Sequence, residues 1–213
     1  MASALEKARK DPESMKGKIL TVARRIFGEY GFHGTTTRMI ALEVGIDIST
    51  LHYHWGEKGD LYEAVVLDIS KDLGQELIKV EKRIHGLPLQ DRLAISIDLM
   101  TDYLFAHPEI SNLILFRYFG KTREEAGLDF KVPEFTADIA RSMGLAKDRK
   151  NVPPDVMMKV LGVMNSIHSF VCGENFFRPM VNLDRGTYID MAKNTLKFIH
   201  IPAFTQNTDL TGA

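Results

Sequence analysis

Hydrophobic residues recur at the spacing of an α-helix along almost the whole chain. The first clear example has apolar residues at i, i+3, i+4 and i+7, with most charged residues on the other side. Its apolar face comprises Ile19, Val22, Ala23, Ile26, Phe27 and Tyr30. Asp11 and Pro12 are start signals upstream, and Gly31 is a stop signal. The pattern therefore predicts a helix over about 13–30.

The same periodicity continues along the chain, interrupted by glycines and prolines rather than by the alternation of a strand. It predicts an all-α protein of about nine helices. The others lie at about 37–44, 48–55, 58–85, 89–106, 108–119, 134–143, 153–177 and 184–200. Residues 203–213 are polar and lack periodicity, so we expect a disordered tail, and we expect residues 1–12 to form a flexible arm.

Two short predicted helices, 37–44 and 48–55, are separated by a three-residue turn. Thr36 and Asp47 are suitable N-cap residues for them, and Gly45 is suited to end the first. Such a pair of short helices is the sequence pattern of a helix-turn-helix, whose second helix enters the major groove of DNA.

The second short helix has an inner and an outer face. Leu51 and Trp55 lie one turn apart, so we expect both to be buried. The residues expected on the opposite side, free to meet DNA, are Ile48, Ser49, His52 and Tyr53. Arg38 begins the first short helix, where its guanidinium could reach a guanine edge or a phosphate. Lys58 begins the following helix and suits a phosphate.

The residues of this region resemble the N-terminal domain of TetR-family transcriptional regulators. The resemblance is carried by TTTRMIALEVGIDISTLHYHWGEKGDLYEAV and by the preceding ILTVARRIFGEYGFHGTTT, and it covers about residues 16–66. In that family the motif T-x-R, a Gly-hydrophobic turn, S/P-T-L-Y-x-H/Y-F and a following Lys occur in this order. Two positions depart from the pattern: His52 replaces the usual tyrosine, and Ile48 is apolar where polar residues are common.

The resemblance implies roles for individual positions. Hydroxyls near phosphates would be Thr36, Thr37, Ser49 and Thr50. Candidates facing base edges would be Arg38, Ile48, Ser49 and His52. Tyr53, His54 and Lys58 match positions that usually hold the DNA backbone. Because Ile48 can pack on a thymine methyl but donates no hydrogen bond, the two departures bear on the choice of operator.

The C-terminal part is rich in aromatic residues and methionines, which by default form a core. Because the chain resembles ligand-responsive regulators, we also expect some of them to line a cavity for a small apolar or amphipathic effector. The candidates are Met100, Tyr103, Phe116, Phe119, Met164 and His168, of which His168 is the expected polar contact.

The predicted helices 153–177 and 184–200 are apolar on more than one face. A helix with two apolar faces in a domain of this size usually buries the second against a partner subunit. The resemblance implies that the same helices form the dimer interface, since they form the family's intersubunit four-helix bundle. We therefore expect a homodimer through these two segments.

Composition and charge exclude some classes of protein. The formal net charge is −1, and residues 1–62 carry nine Lys or Arg against eight Asp or Glu, so a nonspecific architectural DNA binder is disfavoured. Cys172 is the only cysteine, which excludes an intrachain disulfide and fits a reducing cytoplasm. No secretory signal or run of about 18 apolar residues is visible, so we expect no membrane association.

Two pairs of residues, one of two histidines and one of a histidine and a cysteine, suggest other chemistry. His52 and His54 point about 200° apart on a helix and cannot share one ion, so we predict no metal site and no cofactor. His168 and Cys172 lie four residues apart on one helix face, which leaves a helical-bundle enzyme centred on this pair as the alternative function.

The sequence as a whole predicts a cytoplasmic, homodimeric, sequence-specific transcriptional regulator, a repressor that a small effector releases from a palindromic operator. Residues 1–62 would form the helix-turn-helix domain that binds double-stranded operator DNA. Residues 63–202 would bind the effector and dimerise, and 203–213 would be the tail.

Overall fold

The computed structural model describes residues 3–119 and 132–205 of the chain. Within these ranges the secondary structure is helical and contains no strand, which confirms the predicted all-α class. The helices are α1 (Ala4–Lys10), α2 (Met15–Gly34), α3 (Thr37–Val44), α4 (Ile48–Trp55), α5 (Lys58–Ile84), α6 (Leu89–Ala106), α7 (Pro108–Phe119), α8 (Val132–Ser142), α9 (Pro154–Cys172), α10 (Glu174–Met180) and α11 (Arg185–Thr205).

The described ranges thus hold eleven helices, and the prediction of about nine is wrong. One addition is α1, inside the segment expected to be a flexible arm. Ser3 and Glu6 form a capping box there, because each side chain accepts a hydrogen bond from the other's backbone N–H. Leu5 and Ala8 are buried. Three apolar residues in seven, two of them alanines, give too little periodicity to predict such a helix.

The second addition arises because the predicted helix 153–177 breaks at Gly173 into α9 and α10, which are bent by 76°. A Cβ at Gly173 would overlap the ring of Phe177 and would lie 2.9 Å from the carbonyl oxygen of Ser169. The bend therefore depends on the absence of a side chain at this position.

Two helix ends also differ from the prediction. α2 continues one turn beyond the expected stop, across a kink at Gly31, whose φ of +67° favours glycine. The ring of Phe116 lies 3.5 Å from where a Cβ of Gly31 would be. α11 extends to Thr205, into the segment expected to be a tail, while residues 206–213 lie outside the described ranges.

The lengths of α9 and α10 bear on the question of a membrane span. Across the described ranges, no single helix is both long and apolar enough to cross a bilayer. The bent pair of α9 and α10 meets the length and composition criteria only when the two helices are taken together.

The chain divides into two compact units. The first comprises the described residues of Met1–Asp72 and Asn112–Phe130, and the second those of Leu73–Ser111 and Lys131–Ala213. α5 contributes to both. The functional division expected after residue 62 is a separate matter and stays a prediction.

Four charged side chains join α1, α2 and α5 within the first unit. Arg9 and Arg24 each donate to the carboxylates of both Asp68 and Asp72, with Arg24 2.6 Å from Asp68 and Arg9 2.9 Å from Asp72. Burial alone would lower the pKa of Arg24 and raise the pKa of Asp72. The hydrogen bonds between them outweigh burial, so the pKa of Arg24 is raised and that of Asp72 is lowered. Both groups therefore stay charged at neutral pH.

The second unit is built around apolar contacts between α5, α6 and the residue that follows α8. Its core cluster consists of Val80, Ile84, Leu93 and Met143. Partly buried residues of α11, Ile201 and Phe204, pack against this cluster. α9 packs on α6, α8 and α11, so the second unit is a helical bundle.

The ion-pair network generates a prediction about stability. Asp68 is 4% exposed and bonds both arginines. Asp68→Asn keeps its shape but removes the charge, so we expect the free energy of unfolding to fall by about 2–4 kcal/mol. Urea denaturation followed by circular dichroism at fixed protein concentration measures the change. The control is Glu63→Gln, on an exposed position of the same helix. This variant should change the free energy of unfolding by less than about 0.5 kcal/mol. If both variants lowered it equally, the ion-pair network would not contribute to the stability of this unit.

Candidate nucleic-acid interface and internal cavity

The turn between α3 and α4 is fixed by three caps. Thr36 accepts a hydrogen bond from the backbone N–H of Met39 at 3.2 Å, and Asp47 accepts one from the N–H of Thr50 at 2.6 Å. Gly45 ends α3 in the left-handed conformation, at φ +80°. The predicted capping roles of Thr36, Gly45 and Asp47 are confirmed, and together they determine the angle at which α4 leaves α3.

The inner face of α4 is buried as predicted. Leu51 is 0% exposed and Trp55 6% exposed, and from α3 Ile40 is also fully buried. The indole N–H of Trp55 donates to the backbone oxygen of Lys16 at 3.2 Å. This bond satisfies the only polar atom of the indole, so α4 is anchored on α2 by both packing and hydrogen bonding.

Lys16 is a positioning residue that the sequence did not reveal. Its ammonium donates to the backbone oxygen of His54 and lies 5.6 Å from the centre of the Trp55 ring. A cation at the C-terminal end of α4 also interacts favourably with the helix dipole. Nothing in the sequence pairs positions 16 and 54, because their contact depends on how α2 and α4 pack.

The outer face of α4 presents a mixed polar and apolar surface. Tyr53 is 85% exposed and Ile48 41% exposed, with Ser49 also exposed. His52 is partly buried, and its Nδ1 lies 3.5 Å from a carboxylate oxygen of Glu57. This is the side that the sequence predicted to face DNA, and the contacts themselves stay a prediction.

His54 is turned toward the protein more than Tyr53 is. It is partly buried, its ring lies 5.2 Å from that of Tyr53, and its buried Nδ1 lacks a hydrogen-bond partner in the part of the chain described. Burial and, secondarily, the charge of Lys16 lower its pKa. His54 is therefore predominantly neutral at neutral pH, so a backbone contact by this residue would be a hydrogen bond rather than an ion pair.

The remaining candidates on α3 and α4 differ in accessibility. Thr36 and Arg38 are exposed at the start of α3, whereas Thr37 and, on α4, Thr50 are partly buried. Among these candidates Arg38 therefore offers an exposed guanidinium. It lies within the first turn of α3, where the sequence placed it.

Lys58 has partners inside the protein. Its ammonium donates to the backbone oxygens of Phe32 at 2.9 Å and Thr35 at 3.1 Å and lies 4.2 Å from the centre of the Phe32 ring. These bonds satisfy carbonyls at the end of α2, and one of the three ammonium N–H groups is left for a phosphate. The predicted phosphate contact therefore stays open, but it would add to a structural role.

The second unit contains a cavity of about 260 Å³. Its walls come from α5, α6, α8, α9 and α11 and are mostly apolar. Three of the predicted effector residues line it: Met100, Met164 and His168.

The other three effector candidates are placed differently. Tyr103 is not among the residues lining the cavity, and its ring lies 4.8 Å from that of His107. Phe116 belongs to the first compact unit, against Gly31. The side chain of Phe119 lies outside the described part of the structure. Their proposed contacts with an effector stay untested.

The His168 and Cys172 pair has the properties of a buried core rather than of a catalytic site. Burial lowers the pKa of His168 to about 4 and raises the pKa of Cys172 to about 11. Cys172 is therefore a thiol at neutral pH, and the thiolate is the reactive form. His168 Nδ1 instead shares a hydrogen bond of 2.9 Å with the hydroxyl of Ser111. Among the described residues, no group of three or more His, Cys, Asp or Glu could hold a metal ion.

The helix-turn-helix region matches the family model described as "Bacterial regulatory proteins, tetR family" over residues 19–65. The chain is 26% identical over 146 residues to the HTH-type transcriptional regulator UidR of Escherichia coli, covering 68% of this chain and 73% of that protein. It is 28% identical over 109 residues to the HTH-type transcriptional repressor SCO4008 of Streptomyces coelicolor, covering 51% and 52% of the two chains.

A solved structure shows that the similarity of fold extends beyond the first helices. The transcriptional regulator FadR from Bacillus subtilis, in complex with stearoyl-CoA, superposes with a TM-score of 0.54. The match covers 86% of this chain and 96% of that one at 14% identity. At this identity the likeness concerns the fold alone.

The anchoring of α4 predicts unequal effects of two aromatic substitutions. Trp55→Ala removes a buried ring and should lower the free energy of unfolding by about 3–5 kcal/mol, while Trp55→Phe, which loses chiefly the indole bond, should cost about 1 kcal/mol. Tyr53→Ala, on the exposed face, should cost less than about 0.5 kcal/mol. Urea denaturation followed by far-UV circular dichroism measures all three. A loss for Tyr53→Ala as large as that for Trp55→Ala would reverse the assignment of inner and outer faces.

Proposed function

We propose that this chain, which belongs to the TetR family of DNA-binding transcriptional regulators, is a homodimeric repressor that a small effector releases from a palindromic operator. The observation that carries the proposal is the geometry of α4. Its buried residues Leu51 and Trp55 fix a short helix whose opposite side, including Ser49 and Tyr53, is open to a partner. Such a helix fits the major groove.

In this proposal α4 reads base edges and the surrounding side chains hold the backbone. Ser49, His52 and Ile48 face the bases, together with Arg38 from α3. The contribution of Ile48 is apolar, which favours a thymine methyl at that position.

Backbone contacts come from the hydroxyls of α3 and α4 and from Tyr53, His54 and Lys58, the last through its remaining N–H. A two-fold dimer then requires half-sites separated by one helical turn, ~34 Å, or a multiple.

Exposed apolar residues on the last helices support the proposed dimer. On α9 Met158 is 65% exposed, and on α11 Met191, Phe198 and Ile199 are 51%, 81% and 55% exposed. Side chains this large and this exposed on neighbouring helices indicate a surface that another protein covers. Because α9 packs against α11 in the monomer, two copies of the pair make an isologous four-helix interface.

α5 supplies the physical connection that release by an effector requires. It carries Asp68 and Asp72, which bond α1 and α2, and from Leu73 onward it lines the cavity. An effector that binds more tightly when α5 is shifted would change the separation of the two recognition helices in a dimer.

The similar proteins support parts of this proposal. One relative is named a transcriptional repressor, and the solved FadR structure is a complex with stearoyl-CoA. The name of a repressor and a bound small molecule therefore both occur among proteins similar to this chain. Its relatives are regulators rather than enzymes, and its place of action is the cytoplasm, where bacterial DNA lies.

Arg38 tests the proposed reading of DNA. If its guanidinium contacts a base, Arg38→Ala should weaken binding to the operator by about 1–3 kcal/mol and weaken binding to random DNA much less. Fluorescence anisotropy with DNA from upstream of its own gene and with a scrambled duplex, at one salt concentration, measures both. Arg83→Ala, on an exposed position of α5 in the second unit, is the control and should change neither. An equal loss on both duplexes would make Arg38 a phosphate contact instead.

Phe198 tests the proposed dimer. Phe198→Glu places a charge in the interface of each subunit, so we expect the dimer dissociation constant to rise at least about thirtyfold. Sedimentation velocity over a range of protein concentrations measures this constant. Leu42→Glu is a matched control, because Leu42 is 80% exposed but lies on α3. A dimer that tolerates Phe198→Glu as well as Leu42→Glu would place the interface elsewhere.

A further inference from the structure

The volume of the cavity indicates the size of ligand that it suits. An apolar cavity of about 150 Å³ is sufficient for benzene, so a cavity of about 260 Å³ suits a ligand of about ten non-hydrogen atoms. This is the size of a bicyclic aromatic compound. A long acyl chain such as the one named in the FadR complex is considerably larger.

The charges of the cavity wall are paired with one another. The lining includes the two cations Arg141 and Arg149 and the two anions Glu81 and Asp138. Arg141 lies 3.2 Å from Glu81, and Arg149 forms an ion pair with Asp138. An anionic ligand would have to compete with these carboxylates, and a cationic ligand with the arginines. The described wall therefore offers no unmatched charge to a ligand.

The imidazole on the wall does not add a charge either. His168 is 3% exposed, and burial lowers its pKa to about 4, so the ring is neutral at neutral pH. The hydroxyl oxygen of Ser111, a fully buried residue, lies 2.9 Å from Nδ1 of His168 and shares a hydrogen bond with it. Moving an ionised carboxylate into such surroundings without a partner is strongly unfavourable.

A hydroxyl group of the wall is unsatisfied. Ser96 of α6 lines the cavity, and its buried hydroxyl has no hydrogen-bond partner in the described structure. A buried hydroxyl without a partner is costly, and a ligand that supplies one recovers that cost. Ser96 can thus select a ligand by a single hydrogen bond.

We infer that the effector is an uncharged, compact hydrophobic molecule, of the size of a bicyclic aromatic, with one hydroxyl or carbonyl group that bonds Ser96. That the ligand acts as an effector rests on the proposed function, whereas its chemical class is argued from the cavity itself. The inference excludes fatty carboxylates and acyl-CoA esters as ligands of this protein.

The first experiment compares two naphthalene probes of similar size and different charge. Isothermal titration calorimetry of the full chain at pH 7.5 uses 1-naphthol as the neutral probe and 1-naphthoate as the anionic one. We expect 1-naphthol to bind with a dissociation constant at least tenfold lower. Equal or tighter binding of 1-naphthoate or of decanoate, or no saturable binding of 1-naphthol, would overturn the inference.

The second experiment tests the hydrogen bond. Ser96→Ala should weaken 1-naphthol about fivefold, the effect of one neutral hydrogen bond, and leave 1-methylnaphthalene unchanged because that probe has no polar group. Equal losses for both probes would mean that Ser96 acts through packing. An unchanged affinity for 1-naphthol would remove Ser96 from the site.

The third experiment locates the site without risking the fold. Gly74 lines the cavity, and a Cβ there would make an ordinary contact of 3.7 Å with the ring of Phe135. Gly74→Ala therefore reduces the space available and should weaken 1-naphthol at least threefold. Gly59→Ala is the matched control, since it lies on the same helix with nothing within 4 Å of the added carbon. If both variants bind like the parent, the probe does not occupy this cavity and the inference fails.

DNA binding separates this inference from the proposed function. If the protein retains its operator and 1-naphthol binds as expected without releasing it, the ligand class stands and release by an effector is wrong. If no specific DNA binding is found, the proposed function fails, whereas the calorimetric results still decide the ligand class. Release of the operator by 1-naphthol, reduced by Gly74→Ala, supports both.

Discussion

The carboxylates of Asp68 and Asp72 are the interaction on which the first compact unit depends. They occupy one face of α5 and hold Arg9 of α1 and Arg24 of α2 at the same time. Two partly buried arginines without these anions would destabilise the packing of all three helices. Because α2 also carries Lys16, which holds the end of α4, the position of the recognition helix follows from this network through one intermediate helix. The position of the exposed surface of α4 therefore depends on the packing of the helices beneath it.

Local sequence signals predicted the part of the site that depends on local structure. The caps at Thr36 and Asp47 and the inward register of Leu51 and Trp55 each depend on residues within one or two turns, so the sequence alone was enough to identify them. The contact of Lys16 with α4 could not be identified in this way, because it joins residues far apart in the chain. Helix boundaries failed for a related reason, as at the Gly173 break, where a side chain approaches the backbone from the next turn.

Composition predicted the lining residues of the cavity less well than helical register predicted the buried and exposed faces of α4. Of the candidates chosen from the enrichment in methionine and aromatic residues, Met100, Met164 and His168 line the cavity, and their contact with an effector stays a prediction. Composition could not distinguish them from Tyr103 and Phe116. Which side of a helix faces an internal space depends on the packing of several helices at once. The features that make the cavity selective, its paired charges and its unsatisfied hydroxyl, are invisible in composition, since they are properties of neighbours in space.

The internal bonds of Lys58 have a consequence for what a substitution at this position would report. Its ammonium donates to the backbone oxygens of Phe32 and Thr35, so removing the side chain would leave two carbonyls at the end of α2 without this donor. The same ammonium also lies over the ring of Phe32. A loss of DNA affinity in such a variant would therefore combine any lost phosphate contact with a disturbed helix end, and a measurement of folding stability would be needed to separate the two.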